Sequence, residues 1–185
     1  MSSPYSTSAV GDDNLLHMPA SGDRIYAADV DDLEDQTTGA PIGRLVQTVA
    51  QTGIASNTAT AITFTTEDVD SHGYHDNATN NSRVTPTLAG WYRVSGAVCI
   101  AGATDYTVFE AVIGKNGTAI APATRTAPNA TSNTLLNPAS ALVECNGSSD
   151  YFELRFRATK GAGTISTAVS SQFASVLEWE FVRPS

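Results

Sequence analysis

Between Pro86 and Ala101 the chain reads PTLAGWYRVSGAVCIA, and few folds accommodate such a stretch. A turn signal, Leu88-Ala89-Gly90, opens directly into a run with strict alternation. Tyr92, Val94, Val98 and Ile100 fall on one face with Gly96 between them, while Trp91, Arg93, Ser95 and Ala97 fall on the other. Period two over this length predicts a β-strand with one face in a core. Three later stretches repeat the pattern, so this strand reads as an inner rung of a sandwich.

The later stretches are punctuated as antiparallel β-structure requires. Tyr106–Ile113 alternates and runs into Gly114-Lys115-Asn116-Gly117, where Asn116-Gly117 predicts a tight hairpin turn before a return strand at Thr118–Ala121. Bulky residues on both sides of this strand (Tyr106, Val108 and Val112 against Phe109 and Ile113) predict cover on both faces, by the second sheet and by either a neighbouring subunit or a folded-over loop. Ser140–Cys145 predicts a strand, residues 146–150 a turn, and Tyr151–Ala158 a strand with Phe152, Leu154, Phe156 and Ala158 opposite Glu153, Arg155 and Arg157. The last strand is placed at Phe173–Val182, with Phe173, Leu177, Trp179 and Phe181 on one face. Two strand-like runs flank Thr52-Gly53. The segments 67–85 and 122–138 read as long surface loops, a length that points to function or an interface. Strand density over residues 45–185 predicts an all-β jelly-roll sandwich.

Residues 1–44 differ. They hold eight acids against Arg24 and Arg44, most of the formal net charge of -9. Residues 1–22 lack periodicity, though Leu15, Leu16 and Met18 form a small apolar spot that reads as a docking peg or as part of a loose tail. Tyr26, Val30 and Leu33, spaced i, i+4, i+7, predict a short acidic helix at about 27–36, too short to stand alone and so expected to pack on a partner. The acidic balance argues against nucleic acid and against anionic membrane surfaces. No run reaches the ~18 apolar residues of a membrane span, and Met1–Asp13 has no secretory-signal pattern. Cys99 and Cys145 are either two free thiols or one bridge.

Catalytic signatures are missing: there is no Gly-x-Ser-x-Gly elbow, Ser-x-x-Lys set or phosphate loop. Glu178 and Glu180 share a strand face and read as surface positions. The chain is therefore expected not to be an enzyme. The run Asp68-Val69-Asp70-Ser71-His72-Gly73-Tyr74-His75-Asp76 gathers acids and imidazoles. It reads as a solvated loop, with Asp68, Asp70 and Asp76 as weak Ca²⁺ ligands, but it lacks the glutamate that closes an EF-hand loop. His72, Tyr74, His75, Arg125 and Asn129 are the loop residues best placed in sequence to meet a ligand. Trp91, Tyr74 and Tyr106 read either as sugar-stacking rings or as packing residues.

Several of these pieces together resemble the complement C1q globular head and the wider tumour-necrosis-factor-like jelly rolls. PTLAGWYRVSGAV is similar to that family's proline and aromatic-glycine-tyrosine strand, and VFEAVIGKNGTAI to its strand ending in Lys-Asn-Gly. SALVECNGSSDYFELRF resembles its strand, polar turn and alternating strand, with the turn lengthened here. SSQFASVLEWEF resembles its last strand, which begins at a phenylalanine. GDRIYAADVDDLED is similar to segments near the start of tailed-phage tail, fibre and decoration proteins. The resemblance implies a homotrimer in a phage virion, assembled in the host cytoplasm. Residues 1–44 would anchor it to capsid or tail proteins through Leu15, Leu16, Met18, Tyr26, Val30 and Leu33. Residues 45–185 would form a displayed head. Capsid decoration or head fibre is the first expectation; a tail-fibre or tail-tip receptor binder contacting host glycan is the alternative.

Overall fold

The computed structural model describes residues 39–102, 105–120 and 134–185, together with three short strands in other segments. In chain order the strands are β1 (Leu16–His17), β2 (Arg24–Ile25), β3 (Ile42–Val46), β4 (Thr60–Ala61), β5 (Glu67–Asp70), β6 (Ala89–Ala101), β7 (Tyr106–Lys115), β8 (Thr118–Ala119), β9 (Thr124–Thr126), β10 (Thr134–Asn146), β11 (Phe152–Lys160) and β12 (Val176–Arg183). No helix occurs among the described residues; the helix expected at about 27–36 lies outside them. The chain divides into compact units at Met1–Ala40 and Pro41–Ser185. In the first, β1 and β2 pair antiparallel, with Leu16 opposite Ile25.

The second unit is a two-layer antiparallel sandwich. Sheet I has the order β10-β6-β12-β3-β5, and sheet II the order β4-β11-β7-β8, with β9 also pairing β7. Strand β6 is internal, flanked by β10 along its whole length and by β12. Its inward residues Tyr92, Val94, Val98 and Ile100 are fully buried, as the alternation predicts. They meet Phe152, Leu154, Phe156 and Ala158 of β11, also buried. Aromatic rings tie the layers together: Phe152 of sheet II packs edge-on against Trp179 of sheet I at 5.9 Å and meets Tyr92 of sheet I at 6.1 Å.

Residues 42–44, which sequence patterning leaves in the N-terminal segment, belong to sheet I. The signal there is hidden because Gly43 supplies no side chain. Its place in the core is filled by Trp179, directly opposite in register; a Cβ on Gly43 would lie 1.9 Å from Trp179 Cζ2.

Three further expectations are corrected. Strand β7 does not present two bulky faces, because a bulge between Thr159 and Lys160 shifts the register at Tyr106. Tyr106 therefore turns inward with Phe109, Ala111 and Ile113, leaving the smaller Val108 and Val112 outside. The segment 122–138 is not one loop: β9 and the start of β10 occupy part of it, and Pro138 sits within β10. Proline is tolerated there because β10 is an edge strand of sheet I. Finally, β12 begins at Val176, and Phe173 is exposed rather than in the core.

The two cysteines are free and buried. Cys99 pairs in register with Leu136 and Cys145 with Gly90, so nine strand residues, roughly 30 Å, separate them. A bridge needs Cα atoms within about 7 Å.

Candidate functional site

Strand register fixes which loops share an end of the sandwich. Phe181 N–H donates to Pro41 C=O at 2.8 Å, and Glu180 pairs with Ile42. Strand β5 ends at Asp70 beside Gly43, and Ser71 N–H donates to Ile42 C=O at 3.1 Å. Residues 71–87 thus emerge at the end where Pro41 enters. Strand β10 instead begins at Thr134 opposite Ala101, at the far end of β6. Residues 71–87 and the start of β10, which belong to the two segments read as long surface loops, therefore lie at opposite ends.

The 67–85 segment is built around carboxylate caps. Asp70 accepts the backbone N–H of His75 at 2.8 Å and of His72 at 3.4 Å. Asp76 accepts those of Ala78 and Thr79 at 2.8 and 3.0 Å. These N–H groups, Thr79's foremost, hold the Asp76 carboxyl below its ordinary value. Asp68 faces away on sheet I, 3.6 Å from Arg44. The three weak Ca²⁺ candidates thus answer to different partners. Among the described residues no group of three or more His, Cys, Asp or Glu is placed to hold a metal ion.

Two of the ligand candidates turn inward. Tyr74 is 4% exposed and meets Tyr92 edge-on at 6.3 Å. His75 is 8% exposed, its Nδ1 2.9 Å from Arg83 C=O and its Nε2 3.2 Å from Phe64 C=O. It ties the loop to the sandwich. Tyr106 is buried too, so of the three aromatics weighed for sugar stacking only Trp91 reaches the surface in part. His72 is half-buried against Tyr74. A polar cleft of about 260 Å³ remains here, lined by residues that include Asp76, Thr79, Asn80 and Arg83. Arg83 lies over the Tyr151 ring at 4.2 Å.

The side chain of Arg125 and all of Asn129 lie outside the described residues, as do Leu15, Met18, Tyr26, Val30 and Leu33; Leu16 is seen only as backbone in β1. On sheet II, Arg157 pairs with Glu110 at 2.7 Å and Arg155 with Glu153 at 2.7 Å, beside a shallow cleft of about 430 Å³. On sheet I, Arg44 meets Glu178 at 3.3 Å and Arg93 meets Glu180 at 3.3 Å. Glu178 and Glu180 are therefore exposed surface partners of arginines.

The Asn116-Gly117 hairpin forms as predicted, with φ of 51° and 79°. It locks onto the lengthened 146–150 turn. Asn146 Oδ1 accepts the N–H groups of Ser148, Ser149 and Asp150, each at 3.0 Å, and Asp150 is 2.8 Å from Lys115 Nζ. Lys115 first, and Asn116 second, hold the Asp150 carboxyl below its ordinary value.

Exposed apolar side chains are what patterning missed. Leu136, Leu142 and Ile42 lie on the outer face of sheet I, and Val49, Val169 and Phe173 at the end away from Pro41. The turn residues Ser170 and Ser171 just before Phe173 were the available signal for the last of these.

No protein-family model matches the sequence, and no curated protein matches it significantly. Solved structures do match in fold. Murine APRIL at pH 5.0 aligns with a TM-score of 0.55 and 10% identity, over 78% of this chain and 100% of that one. Murine APRIL at pH 8.0 gives 0.55 and 11% over the same shares. Eiger TNF from S. frugiperda gives 0.52 and 9%, over 80% of this chain and 96% of that one. The chain has the tumour-necrosis-factor-like jelly-roll fold, all-β and antiparallel, as its strand motifs imply.

Proposed function

We propose that this protein is a non-enzymatic structural component of a phage virion. In this reading it is a homotrimeric decoration or head-fibre protein, anchored through the unit before Pro41 and displaying its jelly-roll head. The observation that carries the reading is the junction of a TNF-like head with a separate compact N-terminal unit. That unit contains the acidic segment GDRIYAADVDDLED, similar to the starts of phage fibre and decoration proteins.

Self-association has its own support. Leu142, Arg93, Glu180 and Ile42 form one row across the outer face of sheet I. Leu142 and Ile42 are exposed, and Leu136 is exposed on the same face. Apolar side chains interspersed with paired charges suit burial by a neighbouring copy better than permanent exposure. The trimeric count comes from the family resemblance. A second reading, a tail-fibre or tail-tip protein contacting the host surface, is favoured by the exposed Phe173 at the end away from Pro41.

Deletion of residues 1–40 tests the main reading. The remaining head should fold, sediment as a trimer and fail to join particles. Retained incorporation would remove the anchor assignment, and a monomer at micromolar concentration would remove the trimer.

A further inference from the structure

The charges of this protein are unevenly distributed. Residues 45–66, 126–143 and 161–177 contain no Asp, Glu, Lys, Arg or His, although the chain has 10 Lys+Arg and 19 Asp+Glu. The fold gathers two of these stretches at the end of the sandwich away from Pro41. Ile54 and Ile165 exchange both backbone hydrogen bonds, at 3.0 and 2.8 Å. Thr167 N–H donates to Gln51 C=O at 2.9 Å, and Gln47 N–H to Ser175 C=O at 2.9 Å. The third stretch contributes the start of β10, opposite Ala101 at the same end. Lys160 and Asp105 border this region, joined to it through Ser56 and Gly161.

Among the described residues, the exposed surface of 45–66 and 161–177 is made of Thr, Ser, Ala, Gly, Asn and Gln around the large apolar side chains Val49, Val169 and Phe173. Val49 is 63% exposed and Phe173 46%, with Val169 beside them in sequence order on the facing segment. The Gln47–Ser175 and Gln51–Thr167 ties bracket Val49 on one segment and Val169 and Phe173 on the other. Phe173 is held in place: Ser170 Oγ accepts the N–H of Gln172 at 3.3 Å and of Phe173 at 3.1 Å. Ser170 N–H in turn donates to Phe173 C=O at 2.7 Å. Beneath, Gln51 accepts from Thr63 N–H at 3.0 Å and donates to Ala61 C=O at 3.1 Å. An uncharged face whose backbone is tied by these hydrogen bonds keeps the ordering cost of binding low.

The chemistry of the face selects its partner. Without formal charge it exerts no long-range attraction on an ionic ligand. Protein interfaces concentrate aromatics, Met and Arg and are depleted of Ser and Ala; this face shares with them an aromatic and the lack of Lys, Glu and Asp, but it has no Met, Arg, Tyr or Trp and is rich in Ser, Ala and Thr. Hydroxyl and amide groups that donate and accept, flanking one exposed ring, suit an uncharged polyol whose hydroxyls need both functions and whose C–H face can lie on an aromatic surface. We propose that this end is a binding face for a neutral glycan, with Phe173 as the stacking residue and the exposed hydroxyls and amides around it as the polar contacts. The proposal rests on the displayed-head reading only for its biological setting. Its test uses the free full-length chain, so its failure and that of the virion reading are separable.

The test applies the full-length protein to an array of neutral and anionic glycans, then titrates the strongest neutral oligosaccharide by heteronuclear NMR. Amide shifts are expected at 49–52 and 169–173, with binding unchanged between about 50 and about 500 mM NaCl. Phe173→Ala should weaken binding about tenfold without lowering the unfolding temperature, because the ring is exposed. Val169→Asp, which places a charge on the face, should weaken it by an independent route, while Arg157→Gln on sheet II leaves it intact. The proposal is overturned if no neutral glycan binds, if binding is confined to anionic glycans and falls with salt, if Phe173→Ala binds undiminished, or if Phe173 instead drives self-association.

Discussion

Gly43 and Trp179 form a lock between β3 and β12 whose energetics can be worked from their geometry. The indole occupies the space that a Cβ on residue 43 would take, with Cζ2, Cη2 and Cε2 at 1.9, 2.2 and 2.4 Å from that point. Restoring ordinary contact at about 3.4 Å requires the ring to retreat by roughly 1.5 Å. The Phe152 ring, 5.9 Å away edge-on, leaves little room for that movement. Gly43→Ala should therefore fall at the upper end of overpacking costs, about 3 kcal/mol. Trp179→Ala leaves a cavity and should cost about 4 kcal/mol. In the double variant the added methyl has no ring to strike and fills part of the void. Its cost should be about 4 kcal/mol, well below the sum of the single costs, a coupling of about 3 kcal/mol. Urea unfolding followed by far-ultraviolet circular dichroism, at one fixed protein concentration because of self-association, gives all three values. Additive costs, or a Gly43→Ala cost below about 0.5 kcal/mol, would refute the packing argument.

Three other predictions follow from the described contacts. Asp150 and Asp76 have carboxyls held below their ordinary values, so their contribution to stability is fully present above the unfolded-state value near pH ~4 and is lost as pH falls through the lower folded-state values. Asp150→Asn should flatten the acid limb of a stability-against-pH curve; an unchanged limb would contradict the Lys115–Asp150 pairing. Burial raises both thiols, Cys145 to about 11 and Cys99 in the same direction. At pH ~8 an aromatic disulfide reagent should label neither in the folded protein and both in urea, and mass spectrometry without reductant should find no bridge. His75→Ala strips two backbone carbonyls of their ring contacts and should cost about 1–3 kcal/mol in urea unfolding. Little or no loss would mean that His75 does not tie the loop.

The strands that could be read from the chain are those whose two faces differ chemically. In β6 and β11, inward aromatics and aliphatics alternate with a face that carries Arg93 and Ser95 in the one and Glu153, Arg155 and Arg157 in the other, and both strands run where the alternation places them. Asn116-Gly117 was equally legible, because few dipeptides accept two consecutive positive φ values. Legibility fails where one register shift or one missing side chain decides the outcome. The bulge at Thr159/Lys160 turns Tyr106 inward, and no local pattern announces it. Gly43 carries no hydrophobic signal although it shares the core with Trp179. Pro138 reads as a loop residue until its strand is known to be at an edge.

At the candidate sites the same limit holds. His75 and Tyr74 stand in a polar loop sequence, yet contacts with Phe64, Arg83 and Tyr92, distant in sequence, bury them. Phe173 aligns by period with Leu177 and Trp179, but hydrogen bonds from the Ser170 turn end the alternation before it. Only topology brings the uncharged stretches 45–66 and 161–177 together, since the 94 intervening residues, 67–160, must first fold around them.

The most direct test of the account is Fab labelling of purified phage particles, imaged by electron microscopy, with the Fab raised against the folded Pro41–Ser185 head. A displayed virion head predicts discrete label on the particle surface, lost when residues 1–40 are deleted from the chain. Particles that carry no label, while the protein is abundant in the infected cell, would contradict the virion role.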